Sequence, residues 1–230
     1  MNRVTGSVRI VGAGLIGTSI GLALKKIGVD VSIDDVSPAN QRLAIDYGAG
    51  RKPAATDEPA LIVVCVPPDV TVRAVLTELH AYPNAVVTDV ASVKNSILEE
   101  LSAAEAPLVR YVGSHPMAGR ERGGALAGRA DLFFGRPWVI CASPESATSS
   151  NLLVEQLVLD LGGVPARLTA ADHDRAVAMV SHLPQLVSSL LAAQLNRAES
   201  SDLALSGQGL RDTTRIAASD AKLWMQILGG

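Results

Sequence analysis

Three short segments of this 230-residue sequence combine residue types that carry acid–base and anion chemistry. In Gly113-Ser114-His115-Pro116-Met117-Ala118-Gly119, a glycine and a proline constrain the backbone around His115. Imidazole titrates near neutral pH, so it suits the proton of a hydroxyl that is being oxidised. A hydrogen-bonded structural histidine fits that segment equally well. In Asp212-Thr213-Thr214-Arg215-Ile216-Ala217, Arg215 follows Asp212 by three residues, on one helix face. A guanidinium held there either grips a substrate carboxylate bidentately or closes a local salt bridge or cap. The third segment, Thr88-Asp89-Val90-Ala91-Ser92-Val93-Lys94, places a carboxylate, a hydroxyl and an ammonium close together.

A hydride or electron carrier is implied by a fourth segment. Gly12-Ala13-Gly14-Leu15-Ile16-Gly17 reads GxGxxG, between a β-branched run and an apolar helical pattern. That context turns a weak motif into a dinucleotide fingerprint. Gly12 allows the tight turn, Gly14 the approach of a pyrophosphate, and Gly17 close packing of helix on strand. Leu15 and Ile16 open the helix whose unpaired N–H groups receive the phosphates. Asp34 and Asp35 end the next strand, Asp35 lying 21 residues past Gly14. One of them bonds the adenine ribose and the other is solvated. Two carboxylates followed by Val36 disfavour a 2′-phosphate, so NAD is expected rather than NADP. Val66 and Pro67 end the third strand, where the adenosine half of the cofactor passes; loop geometry accounts for the prolines equally well.

The elements that must hold these groups are legible from periodicity. Strands are expected at 8–11, 29–33, 61–66, 85–88, 108–112 and 138–141. Helices are expected at 14–27, 38–47, 70–79, 96–104 and 145–161. The alternation predicts an α/β Rossmann fold, a doubly wound parallel sheet. The candidate segments then follow strands four and five, at the carboxyl ends where such sheets bind ligands. An extended stretch at 164–168 precedes a nearly all-helical region from 170, in which Pro184 is expected to start a new helix. The domain division is placed at 1–167 for the cofactor unit and 168–230 for an all-helical substrate and dimerisation unit. Val187, Leu190, Leu191 and Leu195 form a stripe that is either core or a dimer interface.

Composition narrows the function class. The net charge of −3 argues against a nucleic-acid partner. Aromatics at 3% leave a core of aliphatic residues. Cys65 sits in an apolar run and reads as a buried thiol; no cysteine and histidine spacing suggests a metal. No long apolar run and no signal-peptide pattern are found, so no membrane span and a cytoplasmic location are expected.

Taken together, GSHPMAG at 113–119, SHLPQ at 181–185, RDTTRIAASD at 211–220 and DVASVK at 89–94 resemble the prephenate/arogenate dehydrogenase family (TyrA type) over nearly the whole chain. The resemblance implies NAD-dependent oxidative decarboxylation of a small-molecule substrate, prephenate or arogenate, in tyrosine biosynthesis, by a homodimer. It implies that His115 accepts the hydroxyl proton and that Ser92 lies near the nicotinamide and that hydroxyl. Arg215 would bind a substrate carboxylate, and Glu121 and Asp212 would order the pocket entrance. His182 matches the first position of the family's HLPH segment, but Gln185 stands at its last, which keeps arogenate open beside prephenate. Arg120 replaces a small or hydroxyl residue. The chain reaches Gly230 soon after Trp224, where relatives continue with more helix, so a naturally short or cut helical region is expected, without an aromatic-binding regulatory domain. Two rivals share GxGxxG: a β-hydroxyacid or imine-reductase type dehydrogenase, which would want a catalytic lysine in the helical region, and a non-catalytic NAD-binding module.

Overall fold

A computed structural model describes residues 2–119 and 123–229. Seven strands form one sheet: β1 (Val8–Val11), β2 (Val31–Asp34), β3 (Leu61–Val64), β4 (Val86–Asp89), β5 (Tyr111–Pro116), β6 (Pro137–Ala142) and β7 (Val164–Arg167). Helices α1 (Leu15–Lys26), α2 (Pro38–Asp46), α3 (Pro68–Ala81), α4 (Asn95–Ala103) and α5 (Thr148–Asp160) connect or flank them. The order β2-β1-β3-β4-β5-β6-β7 places β1 between β2 and β3, a topological switch point. Strand residues alternate between two cores. Leu61 and Val63 pack on one face with Ile10, Ile20 and Leu24. Ile62 and Val64 pack on the other with Val75, Leu79 and Val87. Burial of both faces accounts for the unbroken apolar run at β3.

The parallel register lines up the strand ends. Asp34, Val11, Val64, Asp89 and Gly113 are successive partners across β2, β1, β3, β4 and β5. Residues following that row all emerge at one edge of the sheet. Asp35, the glycine turn, Val66, Ser92 and His115 are therefore brought to one edge although the chain separates them by up to 103 residues.

Two expectations about the sheet are corrected. The sheet is not wholly parallel: β6 runs antiparallel to β5, and the extended stretch at 164–168 becomes an edge strand beside β6. His115 lies within a strand, not after one. Leu108–Arg110 is a 3-10 turn, and β5 begins at Tyr111 and runs to Pro116. Gly113 and Pro116 are ordinary turn signals, but β6 offers a ladder that pairs His115 with Val139 and Pro116 with Trp138.

The helical region contains α6 (Ala170–Val177), α7 (Leu183–Leu195), α8 (Ser200–Ala204), α9 (Gln208–Thr214) and α10 (Ala221–Leu228). Pro184 does not start a separate helix. A π-helical turn, Ala178–His182, joins α6 to α7, so the chain is helical without a break over Ala170–Leu195. Such a turn absorbs the hydrogen bond that proline cannot donate. By length and composition this helix could cross a membrane, contrary to the expectation of no such segment. Only 17% of its most apolar window is buried. The residues of α7 that are buried are polar, Gln185 and Ser188, whereas Val187 and Leu190 stand 50% and 64% exposed. Val187 and Leu190 are therefore not core within this chain, while Leu191 and Leu195 are half-buried.

Candidate active site

The glycine turn is shaped by contact. Gly12 has φ +106°, and a Cβ there would lie 2.3 Å from the carbonyl oxygen of Cys65. At Gly17 it would lie 2.0 Å from the carbonyl oxygen of Gly12. Neither position admits a side chain. At Gly14 a Cβ would meet nothing within 4 Å, so this glycine faces open space. Behind it α1 starts without a side-chain cap and without an acidic residue in its first turn. Leu15, Ile16 and Gly17 thus offer N–H groups and the positive end of the helix dipole toward that space, a fit for a pyrophosphate.

The two acids at the end of β2 divide their tasks. Asp34 accepts from the Arg9 guanidinium at 2.9 Å and from the Gln41 amide at 3.0 Å. Arg9 is itself buried and bound to Glu78. Asp35 instead accepts the Ala13 backbone N–H at 2.7 Å and that of Ser37 at 2.8 Å. Its carboxylate therefore stands against the glycine turn. Val66 and Pro67 lie between β3 and α3, with Pro67 capping α3. Cys65 is half-buried, and burial pushes its thiol well up; burial likewise pushes Cys141 up to about 12.

After β4 a buried ion pair fixes the turn that carries Ser92. Asp89 and Lys94 are 0% and 1% exposed at the side chain, and Lys94 Nζ donates to Asp89 Oδ1. Asp89 also accepts the Tyr111 hydroxyl at 2.7 Å and the Ala91 N–H at 2.9 Å. Burial, reinforced by Asp89, raises the Tyr111 phenol well above its usual range, so it remains a donor. With its ends clamped, this turn presents Ser92, which is half-buried. The sequence shows the acid and the lysine five residues on, but their burial and their link to Tyr111 arise only in the fold.

His115 leans on the helical region. Its Nδ1 lies 2.9 Å from Nε2 of His173 in α6, with the rings edge to face at 5.1 Å. His173 is fully buried, and its Nδ1 lies 2.7 Å from Asp174 Oδ1. The Asp174 carboxylate accepts the backbone N–H groups of Lys94 and Asn95 at the start of α4, at 2.9 and 2.8 Å. Burial raises the Asp174 carboxyl, but the bonds from His173, Asn95 and Lys94 outweigh it and hold it below its ordinary range. Burial, assisted by the nearby Lys94 ammonium, pushes His115 well below the ordinary imidazole value; Asp174 opposes this. His115 is thus a neutral ring at neutral pH. His173 and Asp174 had no signature in the sequence, since the contact spans 58 residues.

The remaining candidates lie on the helical side. His182 ends the π-turn, and its ring meets Trp224 edge to face at 6.0 Å. Burial lowers its pKa, with Asp174 opposing. Gln185 donates to the Ile216 carbonyl at 3.0 Å and to Ser189 at 3.2 Å, which ties α7 to the 3-10 turn beginning at Arg215. Arg215 is exposed there. Asp212 is also exposed and accepts from Gln208 at 2.7 Å. Glu121 and Arg120 lie outside the described residues. The structure thus gathers His115, His182, Ser92 and the glycine turn at one edge, and connects Gln185 to the Arg215 turn.

Comparison with known proteins agrees with this geometry. Residues 20–167 match the family model described as prephenate dehydrogenase, nucleotide-binding domain, and residues 169–229 match prephenate dehydrogenase, dimerization domain. The chain is 40% identical over 221 residues to a probable prephenate dehydrogenase, NovF, of Streptomyces niveus, covering 95% of this chain and 61% of that protein. It spans 61% to 65% of the length of the first curated relatives it matches. A prephenate dehydrogenase from Aquifex aeolicus, in complex with hydroxyphenyl propionate and NAD+, superposes with a TM-score of 0.88 at 26% identity, over 97% of this chain and 82% of that one. Synechocystis arogenate dehydrogenase does so at 0.79 and 27%, over 97% and 83%.

Proposed function

The chain belongs to the prephenate dehydrogenase family, and on that premise we propose that it is an NAD-dependent enzyme that oxidatively decarboxylates prephenate, arogenate or both. The observation that carries the reading is His115: a neutral imidazole at the sheet edge, with Nδ1 engaged inward by His173 and Nε2 without a partner among the described residues. A ring so held is a base for a hydroxyl proton.

The residues present fit the cofactor. Gly14 leaves room for the pyrophosphate, α1 directs N–H groups at it, and Asp35 stands where the adenine ribose would lie. When bound, NAD supplies the acceptor for a hydride from the ring carbon that bears the hydroxyl. His115 takes the hydroxyl proton, and Ser92 sits on the neighbouring turn to orient that hydroxyl. Loss of the ring carboxylate as CO2 sends its bonding pair through the ring onto the carbonyl oxygen, and the phenolate so formed takes the proton back from His115, giving 4-hydroxyphenylpyruvate from prephenate or tyrosine from arogenate. Arg215 pairs with a substrate carboxylate. His182 and Gln185 line the same side, and Asp212 and Glu121 order the entrance.

We place the boundary between cofactor and helical units after Arg167, where β7 ends and before α6 begins. A second copy of the chain covers the apolar face of α7, a reading supported by the dimerization-domain match and by exposed Val187 and Leu190. That burial explains the apolar helix without a membrane and agrees with a cytoplasmic location.

Initial rates of nicotinamide reduction with prephenate and with arogenate, measured side by side, test the reading. A rate with either supports it, and the kcat/KM ratio identifies the preferred substrate. NAD binding with no rate on either would set the proposed reaction aside.

A further inference from the structure

We propose that His173 and Asp174 are positioning residues that fix the tautomer of His115, so that its Nδ1 carries the proton and its Nε2 the lone pair. The inference rests on the reading of His115 as the base, but its geometry stands apart from any substrate. Asp174 is committed as an acceptor, because two N–H groups at the start of α4 already donate to its carboxylate. The neighbouring His173 Nδ1, 2.7 Å away, must therefore donate. In the proposed arrangement the single ring hydrogen of His173 sits on Nδ1 and its lone pair on Nε2. That lone pair faces His115 Nδ1 at 2.9 Å, which must in turn carry hydrogen. The order of donors runs one way, from His115 through His173 to Asp174 and the α4 backbone.

The arrangement sits in a place where water cannot substitute. His173 is 0% exposed and His115 9%. The α6 helix that carries the dyad is held by the Thr169 cap, whose side chain accepts the Asp172 N–H. A wrong tautomer would put hydrogen on Nε2 and leave His115 without a basic atom for the substrate hydroxyl. The same loss of a correct tautomer costs serine proteases about 10⁴-fold in kcat.

The chain contains four histidines, so 15N signals of its imidazoles can be assigned, His115 by comparison with H115N. In the full chain His115 is expected to show the Nδ1–H tautomer. In Asp174→Asn, whose oxygen can still accept the Asn95 N–H, the amide NH2 turned toward His173 can donate and reverse the order, shifting His115 to Nε2–H. A His115 that is Nε2–H in the unsubstituted chain, or that keeps its tautomer in folded D174N, would overturn the proposal. Activity gives a second readout. His173→Gln retains an acceptor oxygen toward His115 and is expected to keep kcat within about tenfold. His173→Leu removes the acceptor and should lower kcat about 10²- to 10⁴-fold with KM little changed. Equal losses in the two variants would also overturn it. If the unsubstituted chain turns over neither substrate, the proposed reaction fails while the tautomer measurement still decides this inference.

Discussion

Asp35 accepts a hydrogen bond from the Ala13 backbone N–H at 2.7 Å, which joins the end of β2 to the glycine turn. Its neighbour Asp34 is occupied by Arg9 and Gln41. The two acids are alike in sequence and differ in their partners. Asp35→Ala is expected to weaken NAD binding by roughly 10- to 100-fold, the weight of charge-assisted bonds of about 1.5–3 kcal/mol. NADP should lose less, because removing the carboxylate also removes repulsion of the 2′-phosphate. Titration calorimetry with both dinucleotides checks this. If Asp34→Asn weakens NAD while Asp35→Ala does not, the roles are reversed.

The Asp89–Lys94 pair predicts a stability effect. Both side chains are buried, and Lys94→Met would leave Asp89, among the described residues, with the Tyr111 hydroxyl and the Ala91 N–H. Removing one partner of a buried pair costs about 3–5 kcal/mol. The double variant D89N/K94M should recover part of that loss, since the uncompensated charge is gone. Urea unfolding measures both; a loss below about 1 kcal/mol in the single variant would show that Asp89 has another compensating group.

The histidines make stability depend on pH in a defined direction. Burial, joined by neighbouring positive charge, lowers His115, and burial lowers His182, relative to the ordinary value of 6.5. The unfolded chain therefore binds protons that the folded chain refuses. The contribution of these groups is fully present above about pH 6.5 and falls as pH drops toward their folded values, by at most about 1.4 kcal/mol per pH unit for each group. Unfolding free energies measured at about pH 7.5 and about pH 5.5 should show the decline, and His115→Asn should make it shallower. A stability that rises on acidification over that range would contradict the assigned direction.

The apolar face of α7 should govern assembly. Leu190→Glu places a charge at a position 64% exposed in the single chain. It is expected to shift the protein from dimer to monomer in sedimentation velocity while leaving the helix content unchanged. A chain that is monomeric before substitution would remove the basis for a covered face.

Much of this architecture was legible because local signals and tertiary context agree. The run Val8–Val11, the glycine turn and the α1 pattern each predict the same βα unit, and Asp34 and Asp35 fall where that unit needs an acid. His115, Ser92 and Arg215 were visible as chemistry-bearing residues. Other features depend on partners distant in sequence. Gly113 and Pro116 carry turn propensity, yet β6 draws them into a strand through an antiparallel ladder. Pro184 carries a break signal, yet a π-turn accommodates it. His173 and Asp174 look like polar residues of an ordinary helix start. Their meaning arises only when α6 packs against β5 and the first residues of α4. Asp34 shows the converse: the sequence presents an eligible ribose acid, and Arg9 on the adjacent strand already holds it.

The central claim is that His115 is the base that takes the hydroxyl proton. His115→Asn, assayed for kcat, KM and NAD affinity in the full chain, tests it most directly. The account predicts a kcat lowered about 10²- to 10⁴-fold, as expected for loss of a general base, with NAD affinity unchanged. Turnover within about twofold of the unsubstituted protein would contradict it and leave His115 as a structural histidine.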